Sequence, residues 1–167
     1  MELETEKKSP NVPFIAGIAI VVALGVIAVF RHRSGAASGH DAWMTDLPAA
    51  QAKAAAEHKL VFMDFTGSGW CPPCKTLFKE VLSTPEFISY ARTQLVLVEI
   101  DFPPEIQDTN QSVDLKSGNI RLMKQFDVKG FPTLVVLDRA GKEVWREEGY
   151  GGESPAEFIA GLQKLKP

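Results

Sequence analysis

The chain has 167 residues, 45% hydrophobic and 23% charged, with a formal net charge of −3. That supports one domain with a real core plus an appendage, and leaves no room for two full domains. The charge balance and the lack of a basic segment exclude the electrostatic footprint of a nucleic-acid binder, and two cysteines are too few for a secreted disulfide scaffold.

Residues 1–11 form a tail, and residues 12–30 carry no charged side chain. As a helix that run spans roughly 28 Å, about the hydrocarbon thickness of a bilayer. A buried core helix fits poorly, because no polar stripe interrupts the run. A cleaved signal peptide has a shorter apolar region followed at once by small residues. Here Arg31, His32 and Arg33 close the run, and Ala36, Ala37 and Ser38 come only afterwards. The expectation is a retained, single-pass transmembrane anchor. Lys7 and Lys8 on one flank balance Arg31 and Arg33 on the other, so the positive-inside count ties. Residues 31–41 read as a flexible Ser/Gly/Ala linker, and the folded domain, 42–167, begins near Ala42.

Thr45 or Asp46 caps an alanine-rich helix that has Pro48 in its first turn and runs to about His58. Leu60 to Phe65 is a short apolar run of strand formers, broken by Gly67, Ser68 and Gly69. Cys74, Leu77, Phe78, Val81 and Leu82 then fall on one helical face. Pro85 and Glu86 open a further helix toward Arg92, and Leu95 to Ile100 is a second buried strand. From Asp101 to about Gly118 the chain is polar and irregular, with room for a short helical piece. A helix capped near Asn119 follows, carrying Ile120, Leu122, Met123 and Phe126. After the break at Gly130, Phe131 and Pro132, Thr133 to Leu137 and Glu143 to Glu147 make an antiparallel hairpin around the turn Asp138-Arg139-Ala140-Gly141. Ser154 and Pro155 start the last helix, with Phe158, Ile159, Leu162 and Leu165 inward. This order predicts an α/β fold, a central mixed sheet flanked by helices.

Cys71 and Cys74 are the chemical signal, in the run Trp70-Cys71-Pro72-Pro73-Cys74-Lys75. They follow a strand and open a helix, where unpaired N–H groups and the dipole stabilise a thiolate. Cys71, at the helix start, is the expected attacking thiol. Cys74, one turn on, is the expected resolving thiol. Zinc needs four ligands, and no second pair of cysteines exists; the histidines are His32, His40 and His58. A purely structural disulfide closing so short a loop constrains little. No metal is expected at the site.

With its strand-loop-helix unit MDFTGSGWCPPCK, the later Gly130-Phe131-Pro132-Thr133, and its order of elements, the sequence resembles the thioredoxin superfamily from about Ala42 onward. The wording FTGSGWC is similar to that of membrane-tethered or exported bacterial members. The resemblance implies a thioredoxin-like fold and a thiol–disulfide oxidoreductase that needs no cofactor beyond its cysteines. It implies a cis peptide at Pro132 facing the thiols, an extended substrate segment paired beside it, and Phe131 and Trp70 bordering the site. Asp64 matches the buried acid that exchanges protons with the inner cysteine; a strand-end acid held by local hydrogen bonds is the competing reading. Thioredoxin's buried lysine aligns with Leu97, so that ion pair is missing, and one extra residue separates Asp64 from Cys71. Tyr150 falls in a loop that lies on the substrate side in the family; a packing role is equally compatible.

The implied setting is the bacterial inner membrane, with the domain on the periplasmic side and acting as a monomer. It acts there on protein thiols and disulfides and draws electrons from a membrane or envelope donor. Two rivals remain at this point. One is a copper-carrying module using both thiolates, and the other is a non-catalytic tethered binding module.

Overall fold

A computed structural model describes residues 42–103 and 113–165. The tail 1–11, the expected anchor 12–30 and the linker 31–41 lie outside the described residues. Among those described, no helix is long and apolar enough to cross a membrane.

The elements in chain order are β1 (Trp43–Met44), α1 (Leu47–Glu57), β2 (Leu60–Thr66) and α2 (Pro72–Leu77), which continues as a π-helical turn (Phe78–Leu82). Then come α3 (Pro85–Gln94), β3 (Leu95–Asp101), α4 (Val113–Gln125), β4 (Thr133–Leu137), β5 (Glu143–Glu148) and α5 (Pro155–Leu162). The local chemistry explains most of the boundaries. Asp46 accepts from the Ala49 N–H at 2.9 Å and starts α1. His58 ends it in the left-handed region, at φ 56°. Thr84 caps α3. Ser154 and Glu157 form a reciprocal capping box on α5.

Among the described residues, five strands order as β1-β3-β2-β4-β5. β3 runs parallel to both β1 and β2, while β4 is antiparallel to β2 and β5. The sheet is therefore mixed, with every residue of β2 and β4 buried. Side chains alternate between its faces. Leu60, Phe62, Leu97, Leu134 and Val136 pack under α2, the π turn, α3 and α5. Val61, Met63, Phe65, Val98 and Val135 pack against α1 and the region of Leu122 to Val128. Both faces are covered, which is why the central strands read as unbroken apolar runs.

Four features depart from the sequence reading. β1 is an additional strand, two residues long and below the length at which periodicity registers. The helix expected to cap near Asn119 instead begins at Val113, inside the stretch read as irregular. Asn119 is buried within α4, and its side chain donates to the Asp101 carbonyl at 2.9 Å, so it fastens the helix to β3 instead of starting it. The helix after the cysteines widens into a π turn at Phe78, with the Ser83 N–H donating to the Phe78 carbonyl at 2.8 Å. Leu165 lies beyond the end of α5 yet still packs against the core.

Candidate active site

β2 and β3 run parallel, so their carboxyl ends share one edge of the sheet, and the β2–α2 loop emerges there. Ligands of open α/β sheets bind at such an edge. Cys71 is the N-cap residue of α2. It is joined to Cys74 by a disulfide with an S–S distance of 2.03 Å, and each residue is only 3% exposed. Pro72 and Pro73 supply no N–H, so the first donor of the helix is Cys74, whose N–H points at Cys71 Sγ at 3.3 Å. The next, from Lys75, goes to the Cys71 carbonyl at 3.1 Å. One backbone donor, that of the third helical residue, thus serves the sulfur at the helix start.

Trp70 stands beside the pair, 45% exposed. Its indole lies over Gly67, where an added Cβ would come within 2.6 Å of the ring; any larger residue there displaces the indole. Its Nε1–H donates to the Phe102 carbonyl at 2.6 Å. Phe131 packs edge-on to Trp70 at 5.9 Å between ring centroids and stacks with Phe102 at 5.0 Å. The Phe131–Pro132 peptide is cis, and the Pro132 carbonyl accepts from the Gly149 N–H at 2.8 Å. That bond ties the loop containing Tyr150 to the proline. Tyr150 itself is half-buried against the core, and its hydroxyl donates to the Glu153 carbonyl at 3.0 Å. Burial, then the charges of Glu80 and Glu153, push its phenol up from the ordinary value.

Asp64 projects from β2 toward the layer containing α2, on the same face as Phe62. It is 4% exposed, and its Oδ1 has no hydrogen-bond partner among the described residues. Local hydrogen bonding therefore does not satisfy that oxygen. Desolvation first, then the neighbouring Glu99 and Asp101, push its carboxyl up to about 8. At neutral pH Asp64 is thus mostly a neutral acid.

The fold gathers Trp70, Cys71, Phe131 and Pro132 at one edge and places Cys74 and Asp64 in the layer between sheet and α2. Sequence reasoning did not single out Phe102, Glu99 or Asp101. Asp101 accepts from the Ser68 N–H at 2.7 Å, and the Phe102 N–H donates to the Thr66 carbonyl at 2.9 Å. The end of β3 therefore holds the cysteine loop in place. Alternation along β3 would have put Glu99 on the face of Leu97, but only the register shows what lies opposite. Among the described residues, no group of three or more His, Cys, Asp or Glu side chains is placed to hold a metal ion.

Residues 47–166 match the family described as thioredoxin-like domain. A disulfide bond reductase DsbH of Chlamydia pneumoniae is 35% identical over 112 residues, 66% of this chain and 66% of that protein. A thioredoxin-related protein DsbJ of the same organism is 28% identical over 112 residues, covering 67% of this chain and 31% of the relative. A solved structure of a DsbH oxidoreductase superposes with a TM-score of 0.66 at 31% identity, over 73% of this chain and 81% of that one. The chain thus matches just under two thirds of the first relative's length and about a third of the second's.

Proposed function

The chain belongs to the thioredoxin-like domain family, and from that premise we propose that it is a thiol–disulfide oxidoreductase working on protein substrates through Cys71 and Cys74. The observation that carries this reading is the Cys71–Cys74 disulfide at the start of α2, with a backbone N–H aimed at the Cys71 sulfur. The likeness to a protein named a disulfide bond reductase supports it.

In the reductive direction the Cys71 thiolate attacks one sulfur of a substrate disulfide. That S–S bond breaks, and the leaving substrate sulfur takes a proton from solvent. Cys74 then loses its proton to Asp64, and its thiolate attacks Cys71 Sγ in the mixed disulfide. The second substrate thiol departs with a proton, and the Cys71–Cys74 disulfide remains. Two electrons pass to the substrate. A dithiol donor must restore them, and no bound cofactor enters.

The substrate segment pairs with the backbone of Phe131, because the Pro132 carbonyl already accepts from Gly149. Trp70 and Phe131 flank the segment, and Tyr150 borders it while bracing its own loop. The uncharged run 12–30 supports a single-pass anchor in a bacterial inner membrane. With the domain on the outer side, the natural electron source is another envelope or membrane protein, and the protein acts as a monomer.

The test is a redox titration of the full-length protein in mild detergent against dithiothreitol buffers, read by thiol alkylation. A reversible two-electron transition is expected, nearer the thioredoxin value of about −270 mV than the oxidant value of about −120 mV. Cys71→Ser abolishes reduction of a disulfide substrate, and Cys74→Ala traps the substrate as a mixed disulfide on Cys71. Absence of any reversible Cys71–Cys74 couple sinks the reading.

A further inference from the structure

The strand registers assemble a row of acids under α2. Parallel pairing places Asp64 opposite Glu99, and Thr66 opposite Asp101. On the other side of Asp64, antiparallel pairing places Leu134, and beyond it Glu147. Paired residues of neighbouring strands, about 4.8 Å apart, project from the same face. The row thus reads Glu99, Asp64, Leu134, Glu147, with Asp101 in the next row beside Glu99. On the covering helical layer, the inward residues are Cys74, Leu77 and Val81, whereas the charged Lys75, Lys79 and Glu80 are exposed. The basic residue of β5, Arg146, pairs with Val135 and so belongs to the opposite face. The charges felt by Asp64 are those of Glu99 and then Asp101, both negative. Asp101 is engaged with the Ser68 N–H, and Leu134 separates Asp64 from Glu147. Glu99, half-buried, is the carboxylate directly in register.

We propose that Glu99 is a positioning residue for thiol–disulfide exchange: from its place across the strand pair, its carboxylate holds the proton of Asp64 and so controls when Asp64 can exchange it with Cys74. This rests on Asp64 serving as the proton relay. Proton transfer is most efficient when donor and acceptor hold the proton about equally well. An unperturbed thiol titrates at about 8.5, and an ordinary carboxylate lies far below it. A buried acid beside a like charge is raised toward the thiol. When an external dithiol re-reduces the pair, its thiolate attacks Cys71 Sγ and the Cys71–Cys74 bond breaks. Cys74 leaves as a thiolate and takes the proton of Asp64; the second thiolate of the donor then attacks the donor sulfur bonded to Cys71, forming the donor disulfide and releasing Cys71 as a thiolate. When a substrate disulfide is reduced, the Cys74 proton returns to the Asp64 carboxylate as Cys74 attacks Cys71. The two electrons run from dithiol to cysteine pair to substrate, and Asp64 carries only the proton.

The experiment is single-turnover reduction of a fluorophore–quencher peptide with an internal disulfide by the reduced full-length protein, from pH 5.5 to 9.5. Asp64→Asn identifies the inflection that belongs to the relay, expected near pH 8 in the native protein. Glu99→Gln should move that inflection down by about one pH unit, a tenfold change in proton affinity. Glu99→Asp, which keeps the charge, should hold it near its native place. In the Asp64→Asn background, Glu99→Gln should change nothing. If Glu99→Gln does not fold, Glu99→Thr, suited to a strand, replaces it. Infrared titration of the Asp64 carboxyl in the oxidised protein gives the same shift without turnover. An inflection removed by Asp64→Asn but unmoved by Glu99→Gln overturns the role of Glu99 and leaves the relay standing. An inflection that survives Asp64→Asn overturns the relay itself, and the role of Glu99 with it.

Discussion

At the scale of single residues, the sulfur of Cys71 is governed by which backbone donors reach it. A helix start ordinarily offers an N-cap acceptor the N–H of the second or third residue. Here the second is Pro73, and only Cys74 donates, at 3.3 Å. The proline pair therefore removes the first two N–H donors of the helix from the sulfur's reach. Pro73→Ala restores the missing donor. A hydrogen bond to a charged group contributes about 1.5–3 kcal/mol, which corresponds to roughly one to two pKa units and about 30–60 mV for a two-electron couple. The expected outcome is a lower Cys71 pKa by thiolate absorbance and a more oxidising potential by dithiothreitol titration. The same potential in both proteins would show that the new N–H does not reach the sulfur. That a proline lacks an N–H is legible in the sequence; which helical position each proline takes, and so which donor the sulfur loses, comes from the fold.

At the scale of elements, legibility followed length and burial. β2, β3 and β4 were plain, since strands covered on both faces read as apolar runs. β1 was not, because two residues carry no period; its existence depends on Trp43 and Met44 finding Leu97 and Val98 on β3. The start of α4 was misplaced because Ser117, Gly118 and Asn119 look like a helix boundary, and only the fold reveals that Asn119 is occupied elsewhere. Its donation to the Asp101 carbonyl pins α4 to the strand end that also grips the cysteine loop through Ser68 and Thr66. Asn119→Ala removes that donor from a buried site. A loss of about 1–2 kcal/mol is expected, measured by urea denaturation of the oxidised protein. Because the Asp101 corner also positions Trp70 through Phe102, the variant should reduce substrate more slowly as well. Unchanged stability would mean that α4 is held by its apolar contacts alone.

At the scale of the whole molecule, the cysteine pair and the cis-proline segment were legible in outline, because short local motifs carry them. The acid row was not. It depends on the register between strands whose residues lie far apart in the chain, which no local pattern encodes. That row has a consequence for the stability of the entire domain. Asp64 holds its proton in the folded state up to about pH 8, against an ordinary value of 3.8 when unfolded. Between these values the unfolded chain binds fewer protons than the folded one, so stability must fall as pH rises across that window. The slope is at most about 1.4 kcal/mol for each pH unit, against a total stability of roughly 5–15 kcal/mol for a typical protein. Below about pH 4 both states are protonated and Asp64 contributes no slope; above about pH 8 the loss is complete. Asp64→Asn removes the titration, so its stability should decline less between pH 5 and 8 and exceed that of the native protein at pH 8. Denaturation of the two oxidised proteins at pH 5, 6, 7 and 8 checks this directly. Curves that stay parallel across the four pH values would mean that Asp64 ionises in the fold as readily as in water, and that the buried row stores no proton.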